Sequence, residues 1–208
     1  MIASLVLGIS LLQATAMPAA NQNPTSGIWE SSTSLSPGDT FPHFKLTRAP
    51  GTTVHPMNDV DLKGHRTVFA IIAPFCPHCR KEATVLTGLK AQYAGKLQFI
   101  FASVGNAKDT KSFVHDMGLT DCTYLGGLPI AVGANVHHLP LLLFIGDDGK
   151  VAYVQHHEVT PELEQAILDA FAEGKPMPDE GKPIPTGPAP CAADGSSTCD
   201  VPAKPTGR

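Results

Sequence analysis

The stretch Thr67-Val-Phe-Ala-Ile-Ile-Ala-Pro-Phe-Cys-Pro-His-Cys79 holds the strongest structural signal in this chain. Its first seven residues are apolar or β-branched, which is typical of a strand covered on both faces. Pro77 follows Cys76 directly, and proline is well tolerated in the first turn of a helix. A thiol at a helix N-terminus lies near unpaired N–H groups and the positive end of the helix dipole, and both favour the reactive thiolate. The stretch therefore predicts a buried strand, a pair of redox-active thiols and a helix in direct succession.

The two cysteines are expected to play different parts. At positions i and i+3 of a helix start they can approach within disulfide-bonding distance. Cys76, at or before the first turn, is expected to be more exposed and to attack a partner sulfur. Cys79, one turn in and more buried, is expected to resolve the mixed disulfide. His78 is expected to stabilise the Cys76 thiolate and so to adjust the reduction potential of the pair.

A Cys-x-x-Cys motif is also half of many zinc sites, which need a second pair of ligands. The candidates for that second pair are His137-His138 and His156-His157. The strand before the motif and the helix after it argue against zinc, because zinc knuckles usually lie on turns. We therefore favour redox chemistry over metal binding for this motif.

The rest of the chain alternates between strand and helix patterns. The predicted strands are residues 41–47 at a sheet edge, 67–73, 97–104, 141–145 and 150–155, the last two forming a hairpin. The predicted helices are residues 77–93, 109–117 and 161–173, the last capped by Thr160. Residues 122–136 carry a weaker pattern, which is interpreted as a short strand near residues 123–125 followed by a turn of helix. This alternation predicts an α/β sheet with helices on both faces.

Composition divides the 208 residues into four parts. Residues 1–16 have an apolar core and an Ala-Thr-Ala site, which predicts a secretory signal peptide or an uncleaved membrane anchor. Residues 17–36 read as a linker, residues 37–174 as one domain, and residues 175–208 as a Pro-rich disordered tail. The net charge of −4 and the lack of a basic segment argue against nucleic acid as a partner.

Three of the five cysteines lie outside the motif. Cys122 is expected to be a small buried core residue, with a third redox thiol as the alternative. Cys191 and Cys199 could close a small disulfide loop in an oxidising compartment. A metal site at that pair is the other possibility, although no histidine lies near it.

Two sequence features resemble the thioredoxin superfamily. One is Phe75-Cys-Pro-His-Cys-Arg80 after an apolar strand, and the other is Leu139-Pro140 before the strand at residues 141–145. Over about residues 37–173 the chain resembles the periplasmic TlpA/ResA branch, while the Pro77-His78 dipeptide is similar to that of the disulfide oxidase DsbA. The resemblance implies a thioredoxin-like fold, a central mixed β-sheet flanked by helices, here with disordered N- and C-terminal extensions. It also implies that Pro140 is a cis-proline that faces the dithiol and forms part of the substrate groove.

The chain departs from that family at two positions. Thioredoxin has a buried Asp where this chain has Ala70, so protons must reach and leave Cys79 by another route, through water or Glu82. Residue 139 is Leu, where thioredoxin-like proteins often have Thr, Ile or Val. This second departure bears on substrate choice rather than on chemistry.

These observations predict an exported, periplasmic or secreted thiol–disulfide oxidoreductase, with a slight preference for the reductive direction. We expect protein thiols or disulfides as substrates, a membrane redox donor or acceptor, a monomer, and no cofactor because the dithiol is the redox centre. A copper-binding Sco-like assembly factor is one alternative, but that family uses Cys-x-x-x-Cys with a distant His. A peroxiredoxin is another, but Ala73 stands where that site needs a Thr. A purely structural secreted protein is the third.

Overall fold

Two parallel strands form the centre of the molecule in the computed structural model, which describes residues 30–180. Strands β3 (Thr67–Ile72) and β4 (Gln98–Ser103) pair in register from Thr67 opposite Gln98 to Ile72 opposite Ser103. Every residue of β3 is buried. The continuous apolar run in the sequence is explained by this position, because a central strand has no solvent-facing side.

Seven strands form one mixed sheet in the order β2-β1-β5-β4-β3-β6-β7. The three central strands β5, β4 and β3 run parallel, and every other pairing is antiparallel. The remaining strands are β1 (Lys45–Arg48), β2 (Met57–Asn58), β5 (Thr123–Leu125), β6 (Leu141–Ile145) and β7 (Val151–Gln155). The sheet confirms the predicted α/β class, and its mixed pairing agrees with the thioredoxin-like expectation.

Within residues 30–180, four α-helices cover the two faces of this sheet. They are α1 (Pro77–Lys90), α2 (Ala107–Met117), α3 (Gly127–Gly133) and α4 (Pro161–Glu173). Val68, Ala70 and Ile72 of β3 pack on the face that also receives buried side chains of α1, α2 and α4. Phe69 and Ile71 point to the opposite face, where α3 and the segment before β1 supply the core. None of the helices within residues 30–180 is both long enough and apolar enough to span a bilayer.

The segment before residue 37 is more closely attached to the domain than the sequence predicted. The backbone N–H of Ser31 donates to the carbonyl oxygen of His156 at 2.6 Å, and the Thr33 hydroxyl donates to the carbonyl of Ala134 at 2.6 Å. Ser31 itself is buried. The linker prediction for residues 17–36 is therefore wrong for residues 30–36, because the hydroxyl groups of Ser31, Thr33 and Ser34 donate to backbone carbonyls of the domain.

The domain also extends further at its C-terminal side. Met177 packs against the core, and the Tyr153 hydroxyl donates to Glu180 Oε1 at 2.6 Å. Residues 175–180 therefore belong to the domain and not to the predicted tail. The predicted signal peptide or anchor, and the Cys191 and Cys199 pair, lie outside the described residues.

The predicted edge strand at residues 41–47 is also corrected. Strand β1 begins at Lys45, after Pro42, and lies between β2 and β5 instead of at the edge. The edge is β2, whose two residues carry too little pattern to be found in a sequence. Within residues 122–136 the short strand at residues 123–125 is confirmed, and α3 follows it directly.

Candidate active site

The two thiols of the motif lie where β3 ends and α1 begins. Cys76 is the N-cap residue of α1, with extended backbone angles (φ −80°, ψ 121°), and Pro77 is the first helical residue. The Cys76 carbonyl accepts the backbone N–H of Arg80 at 3.1 Å, so the helix starts immediately after this thiol. The predicted order of strand, dithiol and helix is thus the observed one.

Depth distinguishes the two cysteines. Both are free thiols; Cys76 is half-buried and Cys79 is completely buried. Cys79 Sγ accepts the backbone N–H of Ala73 at 3.4 Å. Burial raises the pKa of Cys79 well above its ordinary value, and the nearby Cys76 and Glu82 raise it further, against the N–H of Ala73. Cys79 therefore stays protonated until something removes its proton.

The loop before β6 meets the exposed thiol. The Leu139–Pro140 peptide bond is cis, and Pro140 is buried. The Cys76 thiol donates to the carbonyl oxygen of Leu139 at 3.5 Å. The antiparallel pairing of β3 with β6, with Ile71 opposite Leu141, brings these distant parts of the sequence together. A peptide group adjacent to a reactive sulfur can position an incoming chain by backbone hydrogen bonds.

His78 lies on the side of the motif that faces the β7–α4 connection. Its Nδ1 is 3.8 Å from Glu158 Oε2, and Lys81 forms a second ion pair with the same carboxylate. The side chain of Glu158 is only 11% exposed, so its charge is poorly hydrated. His78 and Lys81 therefore share this buried carboxylate.

An apolar side chain stands beside the exposed thiol. Phe75 directly precedes Cys76 and is 76% exposed, whereas most large apolar side chains of the domain are buried. An exposed aromatic ring beside a nucleophile provides a contact for an apolar part of a substrate.

A buried carboxyl group lies one helical turn beyond Cys79. Glu82 is 4% exposed, and its Oε1 has no hydrogen-bond partner. Burial raises the pKa of Glu82 to about 8, and the charges of Glu164 and Glu158 add to this effect while Lys81 opposes it. This is the residue that sequence analysis named as an alternative to the missing Asp at Ala70.

A second buried carboxyl group escaped sequence analysis. Glu164, in the first turn of α4, is 1% exposed, and its Oε2 accepts Nε2 of the buried Gln155 at 2.9 Å. Burial raises the pKa of Glu164 to about 7, against the stabilising hydrogen bond from Gln155. A signal was present, because Glu164 shares the i, i+3, i+4, i+7 stripe of Ile167, Leu168 and Phe171. From the sequence alone, Glu164 had no assigned role.

The remaining candidates lie away from the dithiol or are not gathered into a site. Cys122 is buried, and burial is the main reason that its pKa rises to about 12, as befits a core residue. His137 and His138 are exposed, while His156 Nδ1 lies 3.1 Å from the carbonyl oxygen of Ser31. Within residues 30–180 no three His, Cys, Asp or Glu side chains come together as a metal-binding set.

A family model described as Redoxin matches residues 36–171. No curated protein matches the chain. A protein from Chlorobium tepidum described as a thiol:disulfide interchange protein, DsbE, is similar in structure, with TM-score 0.55 and 22% identity over 66% of this chain and 99% of its own.

Two further solved structures share the fold. A hypothetical protein from Sinorhizobium meliloti has a TM-score of 0.61 and 16% identity, covering 72% of this chain and 91% of its own. A secreted disulfide oxidoreductase from Mycobacterium tuberculosis, homologous to E. coli DsbE, has a TM-score of 0.51 and 18% identity, covering 64% and 96%. At these identities the solved structures support the thioredoxin-like fold, and the family model covers well over half of the chain. The chain therefore belongs to the Redoxin family.

Proposed function

We propose that this protein is an exported thiol–disulfide oxidoreductase that exchanges the Cys76–Cys79 dithiol with disulfides of protein substrates. The observation that carries the proposal is the geometry at Cys76. This half-buried thiol lies 3.5 Å from the Leu139 carbonyl, and its partner thiol at Cys79, in the first turn of α1, is fully buried. Cys76 is thus accessible to a substrate disulfide, whereas Cys79 is accessible only to a neighbouring sulfur.

The exchange proceeds in two steps in the reductive direction. The Cys76 thiolate attacks one sulfur of a substrate disulfide, which forms a mixed disulfide and releases the first substrate thiolate. Cys79 then loses its proton and attacks Cys76 Sγ, which closes the Cys76–Cys79 disulfide and releases the second substrate thiolate. The two released thiolates take up two protons, so two electrons and two protons have moved from the protein to the substrate.

Glu82 is the group that we assign to the Cys79 proton. The pKa of the Cys79 thiol is raised by burial, so its attack needs a base inside the protein. Glu82 lies within electrostatic reach of this thiol, and its own pKa of about 8 suits proton exchange near neutral pH. Glu82 therefore serves as the proton acceptor for Cys79, the role of the buried aspartate for which this chain has Ala70.

The charges around the dithiol favour the reductive direction. A strong oxidant needs a reduced form that is stabilised as the thiolate. Here Glu82 opposes the thiolate of Cys79, and Glu158 lies opposite His78 at 3.8 Å. Negative charge near the motif makes the thiolate less favourable and the dithiol a better electron donor.

Export is proposed from the pattern of residues 1–16, with a protein substrate and a membrane redox partner outside the cytoplasm. The similar protein from Mycobacterium tuberculosis is a secreted disulfide oxidoreductase, which supports this location. Fusing residues 1–36 to a reporter that is active only after export tests the idea. Reporter activity is expected, and its loss after deletion of residues 2–12 would tie export to the apolar core. An inactive fusion argues against export.

The activity is tested by reduction of insulin disulfides with dithiothreitol as the electron donor. We expect Cys76→Ser to lose nearly all activity, because no nucleophile remains, and Cys122→Ala to retain it. The second variant is a matched control that removes a buried thiol outside the site. Equal activity of Cys76→Ser and the wild type would reject the proposed function.

A further inference from the structure

We propose that Glu164 is a positioning residue for this exchange: it forms a buried acid pair with Glu82 and sets the pH at which Glu82 takes the proton of Cys79. The inference rests on the proposed thiol–disulfide exchange and deepens it by naming the second group that handles the proton. Glu164 contacts neither the sulfurs nor a substrate, so it acts only through Glu82.

Burial and missing hydrogen-bond partners mark this pair as unusual. Both side chains are more than nine-tenths buried, and each has one carboxyl oxygen, Oε1, without a hydrogen-bond partner. Gln155 Oε1 and Glu158 Oε2, beside the pair, are also buried oxygens without a hydrogen-bond donor, although Glu158 Oε2 lies 3.8 Å from His78 Nδ1. A buried oxygen without a donor is costly, and a protonated carboxyl group is itself a donor. These acceptors therefore favour a state in which the acid pair holds a proton.

Electrostatics gives the same result. Glu82 on α1 lines one cavity with Thr160 and Pro161 at the start of α4, and Glu164 lies in the first turn of that helix, where its N–H donates to the Thr160 carbonyl at 2.9 Å. From this position the charge of Glu164 opposes ionisation of Glu82. Two neighbouring carboxyl groups in a site of low polarity do not both ionise at the ordinary pKa of glutamate, because each negative charge opposes the other. Near neutral pH the pair therefore holds one proton, and ionising one member hinders the other.

Other charged and titratable groups also act on the pair. Those that act on Glu82 are Lys81 and Cys79 from α1, Glu158 from the β7–α4 connection, and Glu164 from α4. Those that act on or respond to Glu164 are Glu180 after α4, Tyr153 and Gln155 from β7, and Tyr93 after α1. Lys81 and Gln155 favour ionisation of the pair, whereas the acidic groups oppose it. Lys81 and Glu158 lie nearer the solvent, beside a cavity of about 280 Å³ that Glu82 also lines.

The proton balance of the resolving step follows. The Cys79 thiol gives its proton to a Glu82 carboxylate, and the resulting thiolate attacks Cys76 Sγ of the mixed disulfide. The S–S bond to the substrate breaks, the Cys76–Cys79 bond forms, and the substrate leaves as a thiolate that takes its proton from solvent. Glu82 must be ionised for this step, so the rate of resolution should rise with pH as Glu82 loses its proton.

The first test is the pH dependence of resolution in single-turnover oxidation of the reduced full chain by oxidised glutathione. Acid quenching and mass spectrometry give the rate at which the glutathione mixed disulfide disappears. In Glu164→Gln we expect the rise in rate to occur at lower pH than in the wild type, by roughly one pH unit, because one negative neighbour is gone. Glu162→Gln, an exposed residue of the same helical turn, should keep the wild-type midpoint. An unchanged midpoint in Glu164→Gln overturns the inference.

The second test does not depend on activity. Carbon-13 NMR of the glutamate side-chain carboxyl groups in the full chain follows each titration directly. We expect the titration midpoints of Glu82 and Glu164 to lie well above the ordinary pKa of glutamate. In Glu164→Gln we expect the midpoint of Glu82 to lie at lower pH than in the wild type. If that variant does not fold, the wild-type titration curves provide the test. In a coupled pair, the signal of each carboxyl group shifts at the ionisation of its neighbour as well as at its own. If both carboxyl groups titrate at the ordinary pKa of glutamate, the inference is wrong.

The two tests separate this inference from the proposed function. If no mixed disulfide resolves in the wild type, the proposed exchange fails even when NMR detects the acid pair. If exchange proceeds while the carboxyl groups titrate independently, the proposed function stands and the role of Glu164 falls.

Discussion

At the scale of single residues, the difference in depth between two sulfurs organises the chemistry. Cys76 reaches the surface at the N-cap of α1, and Cys79 is sealed beneath it against the backbone of Ala73. A buried thiol cannot meet a protein substrate, but it can attack a neighbouring sulfur. The roles of nucleophile and resolving thiol follow from that asymmetry.

Replacement of Cys79 by Ser should trap the intermediate. Cys76 still attacks a substrate disulfide in this variant, but no second thiol releases the product, so mixed disulfides accumulate. Non-reducing electrophoresis of the variant incubated with oxidised insulin is expected to reveal covalent adducts that dithiothreitol removes. The double variant Cys76→Ser/Cys79→Ser is the control and should form none. Absence of adducts in the single variant would mean that the two roles are wrongly assigned.

Glu82 should make the folded protein less stable as the pH rises. Its pKa is raised from 4.5 to about 8, so between these values the folded protein retains a proton that the unfolded chain has released. The free energy of unfolding then falls with increasing pH, by about 1.4 kcal/mol per pH unit for each such proton. Glu82→Gln removes the group that retains this proton, so the free energy of unfolding should fall less steeply with pH in this variant.

Urea unfolding between about pH 5 and pH 8 measures that slope. The exposed Glu162→Gln variant is the control and should follow the wild type. The same slope in Glu82→Gln and the wild type would contradict the assignment of a raised pKa to Glu82.

At the scale of secondary-structure elements, α4 connects the two ends of the domain. Its first turn carries the buried Glu164, and its last turn is bound by Arg66, whose Nη1 donates to the carbonyls of Phe171 at 2.7 Å and Ala172 at 3.0 Å. Thr160 caps its N-terminus, where its hydroxyl oxygen accepts the N–H of Leu163 at 3.3 Å. The position of Glu164 thus depends on the hydrogen bonds that Thr160 and Arg66 make to the two ends of α4.

Removing the N-cap of α4 should therefore destabilise the domain. Thr160→Ala leaves the Leu163 N–H without its side-chain acceptor, and such a loss typically costs about 1 kcal/mol. The matched control is Thr84→Ala on the exposed face of α1, where alanine is the better helix former and little or no loss is expected. The midpoint of urea unfolding distinguishes the two variants. Equal stabilities would mean that the Thr160 cap contributes nothing.

At the scale of the whole molecule, the sheet determines the surroundings of the dithiol. β6 brings the Leu139 carbonyl to Cys76, and β7 with α4 brings Gln155, Glu158 and Glu164 to the buried side of the motif. The result is a reactive sulfur with an apolar neighbour outside and carboxyl groups inside. This distribution of charge is a property of the fold and not of the four-residue motif.

The reduction potential reports that distribution. We expect a value for the Cys76–Cys79 pair near that of thioredoxin, about −270 mV, because the surrounding carboxyl groups disfavour the thiolate. Equilibration with glutathione or dithiothreitol buffers, followed by thiol alkylation, measures it. A value near about −120 mV, as for strong periplasmic oxidants, would reverse the proposed direction.

Local patterns were enough for much of the fold. The buried run of β3, Pro77 after Cys76, and Thr160 before Pro161 each predicted an element that the structure contains, because each signal arises from neighbouring residues. The boundaries at residues 30–36 and 175–180 were missed. Those segments are polar or Pro-rich, and they are ordered only by hydrogen bonds and packing with distant residues.

The sequence by itself determined the dithiol, its place between a strand and a helix, and the different depths of its two sulfurs, since helix geometry relates residues three apart. Only the tertiary structure decided what surrounds those sulfurs. Glu82 and Glu164 are 82 positions apart in the numbering and become neighbours because α1 and α4 pack on one face of the same sheet. Proximity of that kind depends on the packing of whole elements, and no local pattern of residues encodes it.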